Sequence, residues 1–150
     1  MVLMCRASKT VVVSGGFDPV HKGHIKLFKE ACKLGDRLVV ILNNDNWLHQ
    51  KKSFIFMPQQ ERKYILESIR YVDEVVLSYH EEAPKDMSVC SELTVIDPDI
   101  FANGGDRKQD NVPEYDLCKE LNIETKFNVG GGKVRSSSDL VKNAHKKVNK

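Results

Sequence analysis

Short, uninterrupted apolar runs alternate along this chain with stretches of helical periodicity, and very few folds accommodate that alternation. Thr10-Val11-Val12-Val13 is a continuous apolar run that stops at Ser14-Gly15-Gly16. A run with no polar alternates is what a strand buried on both faces needs. Ile25, Leu27, Phe28, Ala31, Cys32 and Leu34 then predict a helix from about His21 to Leu34, with Gly35 as its left-handed cap. Leu38-Val39-Val40-Ile41-Leu42 is a second strand, followed by Asn43-Asn44-Asp45-Asn46 as a loop or cap. Pro58 opens a helix carrying Tyr64, Ile65, Leu66, Ile69 and Val72, and Val75-Val76-Leu77 forms a third strand. Pro84 to Leu93 has weak helical character, and either Thr94-Val95-Ile96 or Ile100-Phe101-Ala102 supplies the fourth strand, ending in Asn103-Gly104-Gly105. Leu117, Cys118 and Leu121 mark another helix, Ile123 to Val129 alternates like a strand, and Ser136-Ser137-Ser138-Asp139 reads as the cap of a last helix. Residues 142–150 are expected to be a basic, frayed tail.

Strands alternating with helices predict a parallel sheet covered on both faces, in one doubly wound α/β domain over residues 1–150. A composition of 41 % hydrophobic and 29 % charged residues excludes a disordered chain. No apolar run approaches the ~20 residues of a membrane span, and the apolar stretch near Met1 is too short for a signal peptide, so a soluble, cytoplasmic protein with no membrane partner is expected. With 23 basic against 21 acidic residues, the net charge of +2 gives no reason to expect nucleic acid. Cys5, Cys32, Cys90 and Cys118 form no C-x-x-C pair, so buried reduced thiols are expected rather than a zinc site or a disulfide framework.

In doubly wound sheets ligands bind beyond the carboxyl ends of the strands, which directs attention to the loops. The first runs Ser14-Gly15-Gly16-Phe17-Asp18-Pro19-Val20-His21-Lys22-Gly23-His24. Its glycines let backbone approach a ligand, and its two histidines, three residues apart, share one helical face. Imidazoles at a helix N-terminus, with its unpaired N–H groups and positive dipole end, make a site for phosphate. A metal site is the rival reading of two close histidines, but no Cys or carboxylate stands at a spacing that completes the shell. A second flexible loop, Gly130-Gly131-Gly132-Lys133-Val134-Arg135-Ser136-Ser137-Ser138, opens the last helix with hydroxyls and N–H groups suited to an anion.

His21-Lys22-Gly23-His24 after Gly15-Gly16-Phe17-Asp18 resembles the signature of the H-x-G-H nucleotidyltransferase superfamily, the cytidylyltransferase-like α/β enzymes. Gly35-Asp36-Arg37, Asn43-Asn44-Asp45, Gln60-Glu61-Arg62, Gly104-Gly105-Asp106 and the late serine run follow the same pattern in order. The resemblance implies a Rossmann-like sheet of the nucleotidyltransferase type and transfer of AMP or CMP from ATP or CTP to a phosphorylated sugar or polyol, with release of pyrophosphate. Among small members it is nearest the glycerol-3-phosphate cytidylyltransferases and the heptose-1-phosphate adenylyltransferases, and the residues do not choose between the two bases.

By the same resemblance, His21, His24 and Lys52 are catalytic. Gly15, Gly16, Phe17, Lys51, Arg62, Gly104, Asp106, Ser136, Ser137 and Ser138 are nucleotide-binding, with either Lys51 or Lys52 closing over the phosphates. Magnesium is implied with the triphosphate, no protein metal site is expected, and a homodimer is implied. The chain departs from the glycerol-3-phosphate enzymes, whose arginine in the late loop stands where this chain has Gly131, leaving Lys133 or Arg135 as candidate substitutes. The reading from a different class is a catalytically weak nucleotide-binding regulatory protein of the same fold.

Overall fold

The computed structural model describes residues 8–105, 107, 112–132 and 136–148. Its elements run β1 (Thr10–Gly15), α1 (Lys22–Cys32), β2 (Arg37–Leu42), α2 (Asp45–Lys52), α3 (Gln59–Glu67), β3 (Glu74–Leu77), α4 (Cys90–Ile96), β4 (Ile100–Ala102), α5 (Tyr115–Glu120), β5 (Glu124–Lys126) and α6 (Ser137–Val148). The strands form one parallel sheet in the order β3-β2-β1-β4-β5. Chain order reverses direction between β1 and β4, and the crevice above that reversal is where an open parallel sheet admits a ligand.

Alternation along the strands sorts the core into two layers. Val11, Val13, Leu38, Val40 and Leu42 pack with Phe28 and Ala31 of α1 and Leu66 of α3. Val12, Val39, Ile41 and Phe101 pack the opposite way with Leu93 of α4 and Cys118 of α5. Both faces of the central strands are dry, which is why their sequences contain no polar alternates. Among the described residues no helix is long and apolar enough to cross a membrane.

Several local expectations are corrected. Of the loop or cap expected at Asn43 to Asn46 the cap is found, Asn44 Oδ1 accepting the Trp47 N–H at 3.0 Å, and it starts a helix, α2, that was not expected. Leu48 is the one buried residue of that helix, so it carries no apolar periodicity to betray it. Thr94, Val95 and Ile96 lie in α4, and the fourth strand is Ile100–Ala102. Tyr64 is 75 % exposed rather than part of the packed face of its helix. The basic segment from Lys142 to Val148 is helical, not frayed. Cys118 is buried while Cys32 and Cys90 are half-buried thiols, and Cys5 lies outside the described residues. Burial pushes the Cys90 and Cys118 thiols upward, away from the reactive thiolate.

Gly35 is not a left-handed cap either, since Gly130 and Gly131 are the described glycines with positive φ. Its missing side chain is needed for close approach. A Cβ there would lie 2.6 Å from the Lys9 carbonyl oxygen and 2.8 Å from Val11 Cγ2. That carbonyl accepts both the Asp36 and Arg37 N–H groups, at 2.7 and 3.2 Å, and so cannot retreat without releasing the entry to β2. Gly35→Ala is accordingly expected to destabilise the fold by about 1–3 kcal/mol, the usual cost of overpacking. Chemical denaturation measures it, and an unchanged midpoint would refute the steric account.

Candidate active site

β1 ends at Gly15, where absence of a side chain admits the Phe17 ring: a Cβ would meet Phe17 Cζ at 2.8 Å. A Cβ on Gly16 would meet Leu48 of α2 at 3.0 Å. These two glycines therefore let protein pack on protein, and the expectation that both serve close approach of a ligand is corrected on that point. Of the two, Gly16 borders the cavity described below. Phe17 takes φ of 49°, a left-handed conformation uncommon for a bulky residue. Its ring, 5 % exposed, is held edge-on by His24 at 4.8 Å and by Phe28 at 5.2 Å between centroids. Asp18, also buried, accepts the Phe56 and Met57 N–H groups with its two carboxylate oxygens, both at 2.7 Å. The segment entering α3 is thereby fastened to the histidine loop.

His21 is the N-cap of α1 in extended conformation, and its Nδ1 accepts the Gly23 N–H at 3.1 Å. His24, three residues on, accepts the His21 N–H on its own Nδ1 at 3.2 Å. The imidazoles thus reproduce a capping box with rings in place of the usual hydroxyl and carboxyl groups. Two consequences follow from the geometry. The rings stack, with centroids 3.7 Å apart and planes at 21°. Each Nδ1 is an acceptor, so in the neutral ring the proton sits on Nε2, giving two parallel N–H donors at a helix N-terminus. Burial, then the neighbouring His21 and the Lys52 charge, push the His24 pKa from 6.5 down to about 3. His24 is therefore a neutral donor at physiological pH.

These rings border a cavity of about 320 Å³ over the point where chain order reverses. Lys52 reaches it from the end of α2, where cations suit the helix dipole, whereas Lys51, exposed like Lys52, does not border it. Gly104 borders it, with open space among the described residues where a Cβ would stand, and Arg107 borders it from the same loop. Gly130 to Gly132 and Ser136 to Ser138 close the far wall. Gly130 and Gly131 have φ of 85° and 82°, which glycine adopts without strain. Ser136 Oγ accepts the Asp139 N–H at 3.3 Å, the expected cap, while Ser137 donates its hydroxyl to the Pro19 carbonyl at 2.7 Å, docking α6 onto the histidine loop. Asp106, Lys133 and Arg135 lie outside the described residues.

Arg62 is the main correction. It is 1 % exposed and does not border the cavity. Its guanidinium donates to the Gly16, Asn43 and Met57 carbonyls at 2.8, 2.7 and 2.8 Å, and pairs with Asp45 at 2.7 Å. The unfavourable placement at a helix start does signal a task, but the task is joining loops rather than touching nucleotide. Arg107 is the residue that sequence reasoning missed. Its signal was adjacency to Gly104-Gly105-Asp106, a segment singled out for its glycines and acid alone.

Comparison with known proteins gives the family and the fold. Residues 12–145 match the family model described as cytidylyltransferase-like. The chain is 40 % identical over 98 residues to glycerol-3-phosphate cytidylyltransferase of Bacillus subtilis, covering 65 % of this chain and 72 % of that one. It is 34 % identical over 118 residues to an FAD synthase of Aciduliprofundum boonei, covering 77 % and 74 %. It is also 34 % identical over 120 residues to the bifunctional protein HldE of Nitratiruptor, covering 79 % of this chain but spanning only 25 % of that longer protein. Among solved structures, the lipopolysaccharide core biosynthesis protein of Thermoplasma volcanium superposes with a TM-score of 0.63 at 27 % identity, over 81 % of this chain and 94 % of that one.

The depressed His24 pKa has a direct readout. Its ring resonances in the free protein are expected to stay constant as pH falls from 8 to 5, because protonation begins only as pH nears about 3. An inflection near 6.5 in the NMR titration would overturn the neutral-donor assignment.

Proposed function

The chain belongs to the cytidylyltransferase-like family, and from that membership we propose that it is a nucleotidyltransferase. In this reading it moves AMP or CMP from ATP or CTP to a phosphorylated small-molecule acceptor and releases pyrophosphate. The observation that carries it is the stacked His21–His24 pair, whose backbone-fixed tautomers present two Nε2–H donors to a cavity that Lys52 and Arg107 also border. The relatives named as a cytidylyltransferase and as FAD synthases support the reaction class, and they differ in what they make.

An acceptor phosphate oxygen attacks the α-phosphorus in line, a new P–O bond forms, and the bond to the bridging oxygen breaks as its electrons leave with pyrophosphate. Negative charge grows on the bridging and non-bridging oxygens, and the two Nε2–H groups stabilise it. Being neutral already, His24 needs no protonation step before it can donate. Lys52 neutralises the phosphates from the α2 side. Phe17 holds the His24 ring, and Arg62 and Asp18 keep the loops in register around it. Gly104 leaves room for the ligand, Ser136 to Ser138 bring the start of α6 to the phosphates, and the family resemblance assigns Asp106 to a ribose or acceptor hydroxyl.

Magnesium belongs to this reading as part of the triphosphate substrate. Among the described residues no group of three His, Cys, Asp or Glu side chains is placed to hold a metal, and both Asp18 oxygens are engaged by backbone N–H groups. When bound, the ion supplies charge neutralisation on the phosphates while keeping most of its waters. The reading also includes a homodimer.

Pyrophosphate release, measured with each nucleoside triphosphate across a panel of phosphorylated sugars, polyols and flavin mononucleotide, tests the assignment. Turnover with one pair names base and acceptor, while nucleotide binding without release by any pair would make the protein a binder. His24→Ala is expected to lower kcat by about 10²–10³, the usual cost of one donor to transition-state charge. Lys52→Ala is expected to raise KM for the triphosphate roughly ten- to hundredfold, whereas Lys51→Ala stays near wild type. Equal effects at the two lysines would contradict the placement. For the homodimer, sedimentation at micromolar concentration is expected to give twice the 17.1 kDa of one chain, and a monomer mass would refute it.

A further inference from the structure

The cavity beside the histidines is bordered by two cationic side chains from different elements, Lys52 at the end of α2 and Arg107 after β4, and by no Asp or Glu among the described residues. Such a wall attracts an anion long enough to reach both. Arg107 is placed by more than its own backbone, whose N–H donates to the Gly104 carbonyl at 3.2 Å. Its Nη2 lies 3.7 Å from Glu114 Oε2, outside hydrogen-bond range, with the arginine side chain 44 % exposed and the glutamate side chain 5 % exposed.

Glu114 is anomalous. Its Oε1 accepts the Val89 N–H at 3.0 Å, but Oε2 is buried and has no hydrogen-bond partner among the described residues. Buried carboxylate oxygens are nearly always satisfied, and an exception calls for a reason. Helix packing alone does not supply one, because the Val89 contact uses only one oxygen. The remaining oxygen faces a guanidinium that has five donors and makes, among the described residues, no other ion pair.

We propose that Arg107 binds a substrate phosphate in this cavity and that Glu114 is its positioning residue. Glu114 is fixed at the starts of both α4 and α5, so its charge restrains a long, flexible side chain without locking it. At 3.7 Å the guanidinium keeps its hydrogen-bonding capacity and can turn to the anion while the carboxylate holds the far side of its charge. This inference rests on the cavity being a phosphate site, and it deepens the reading above by naming a contact that neither histidine nor Lys52 supplies. The phosphate has two possible sources, the triphosphate and the acceptor, with the same chemistry.

Equilibrium binding by calorimetry separates them, using inorganic tripolyphosphate, ATP, CTP and glycerol 3-phosphate as probes on the full chain. Arg107→Met is expected to weaken binding at least tenfold, the loss of one charge-assisted contact. Loss with tripolyphosphate and nucleotide assigns Arg107 to the triphosphate, loss confined to glycerol 3-phosphate assigns it to the acceptor, and no loss with any probe overturns the inference. Arg107→Lys should recover part of the affinity. Glu114→Gln retains the Val89 contact and is expected to cost about three- to tenfold in the wild-type background and nothing further beside Arg107→Met. An equal cost in both backgrounds would show that Glu114 acts through packing and would end its positioning role. If the Gln variant does not fold, Glu114→Asp, which keeps the charge but withdraws it, replaces it in the same cycle. These measurements need no turnover. Wild-type binding without pyrophosphate release defeats the transferase reading and leaves Arg107 standing, whereas a wild type that binds no probe overturns the inference itself.

Discussion

One buried guanidinium holds together the edge of the sheet on which the site stands. Arg62 bonds the Gly16 carbonyl after β1, the Asn43 carbonyl after β2 and the Met57 carbonyl before α3, and its charge is balanced by Asp45 at the start of α2. The Asn43 carbonyl, whose bond to Arg62 is fully buried, would otherwise be left unpaired at roughly 1–3 kcal/mol, and those of Gly16 and Met57 are half-buried. A lysine cannot replace it, since one ammonium lacks the planar fork that serves four oxygens at once. Position is the second half of the matter. Gly16 leads into the histidine loop and Asp45 begins the helix that ends in Lys52, so the hub sets the frame for both histidines and the lysine without touching the cavity.

The histidine pair depends on this frame because its own geometry is internally demanding. Burial, the stacked His21 ring and the Lys52 charge together hold His24 neutral. At His24 the polarity offered to the cavity therefore comes from an N–H dipole and the start of α1 rather than from ionisation. Formal charge is delegated to Lys52 and Arg107, which stand on other elements. Separating directional donors from mobile charges in this way lets the rings stay fixed while the cations adjust.

The strands were readable in the sequence because central parallel strands must be apolar on both faces, and Val11 to Val13 and Leu38 to Leu42 are so without exception. The histidine loop was readable because its residue types and spacing serve one local helix start. What escaped was structure lacking an apolar stripe, as in α2, and side chains whose role depends on partners far along the chain. Arg62 presented as a ligand contact since sequence places its cation against a helix dipole but cannot show three loop carbonyls converging on it. Gly15 presented as space for a ligand when that space belongs to the Phe17 ring. Arg107 escaped because its partner Glu114 follows seven residues later, with no periodic relation between them.

The contact between Gly105 and Gly131 has a consequence of its own. A Cβ at position 105 would lie 2.5 Å from the Gly131 carbonyl oxygen, so the loop after β4 and the loop before α6 touch through bare backbone. A side chain at position 105 would have to push the Gly131 carbonyl aside, whereas at position 131, where a Cβ would meet open space, it is the backbone φ of 82° that favours glycine. Position 105 is thus held to glycine by the neighbouring loop and position 131 by its own backbone, so a foreign loop grafted after β4 must leave room for a carbonyl that belongs to the loop before α6.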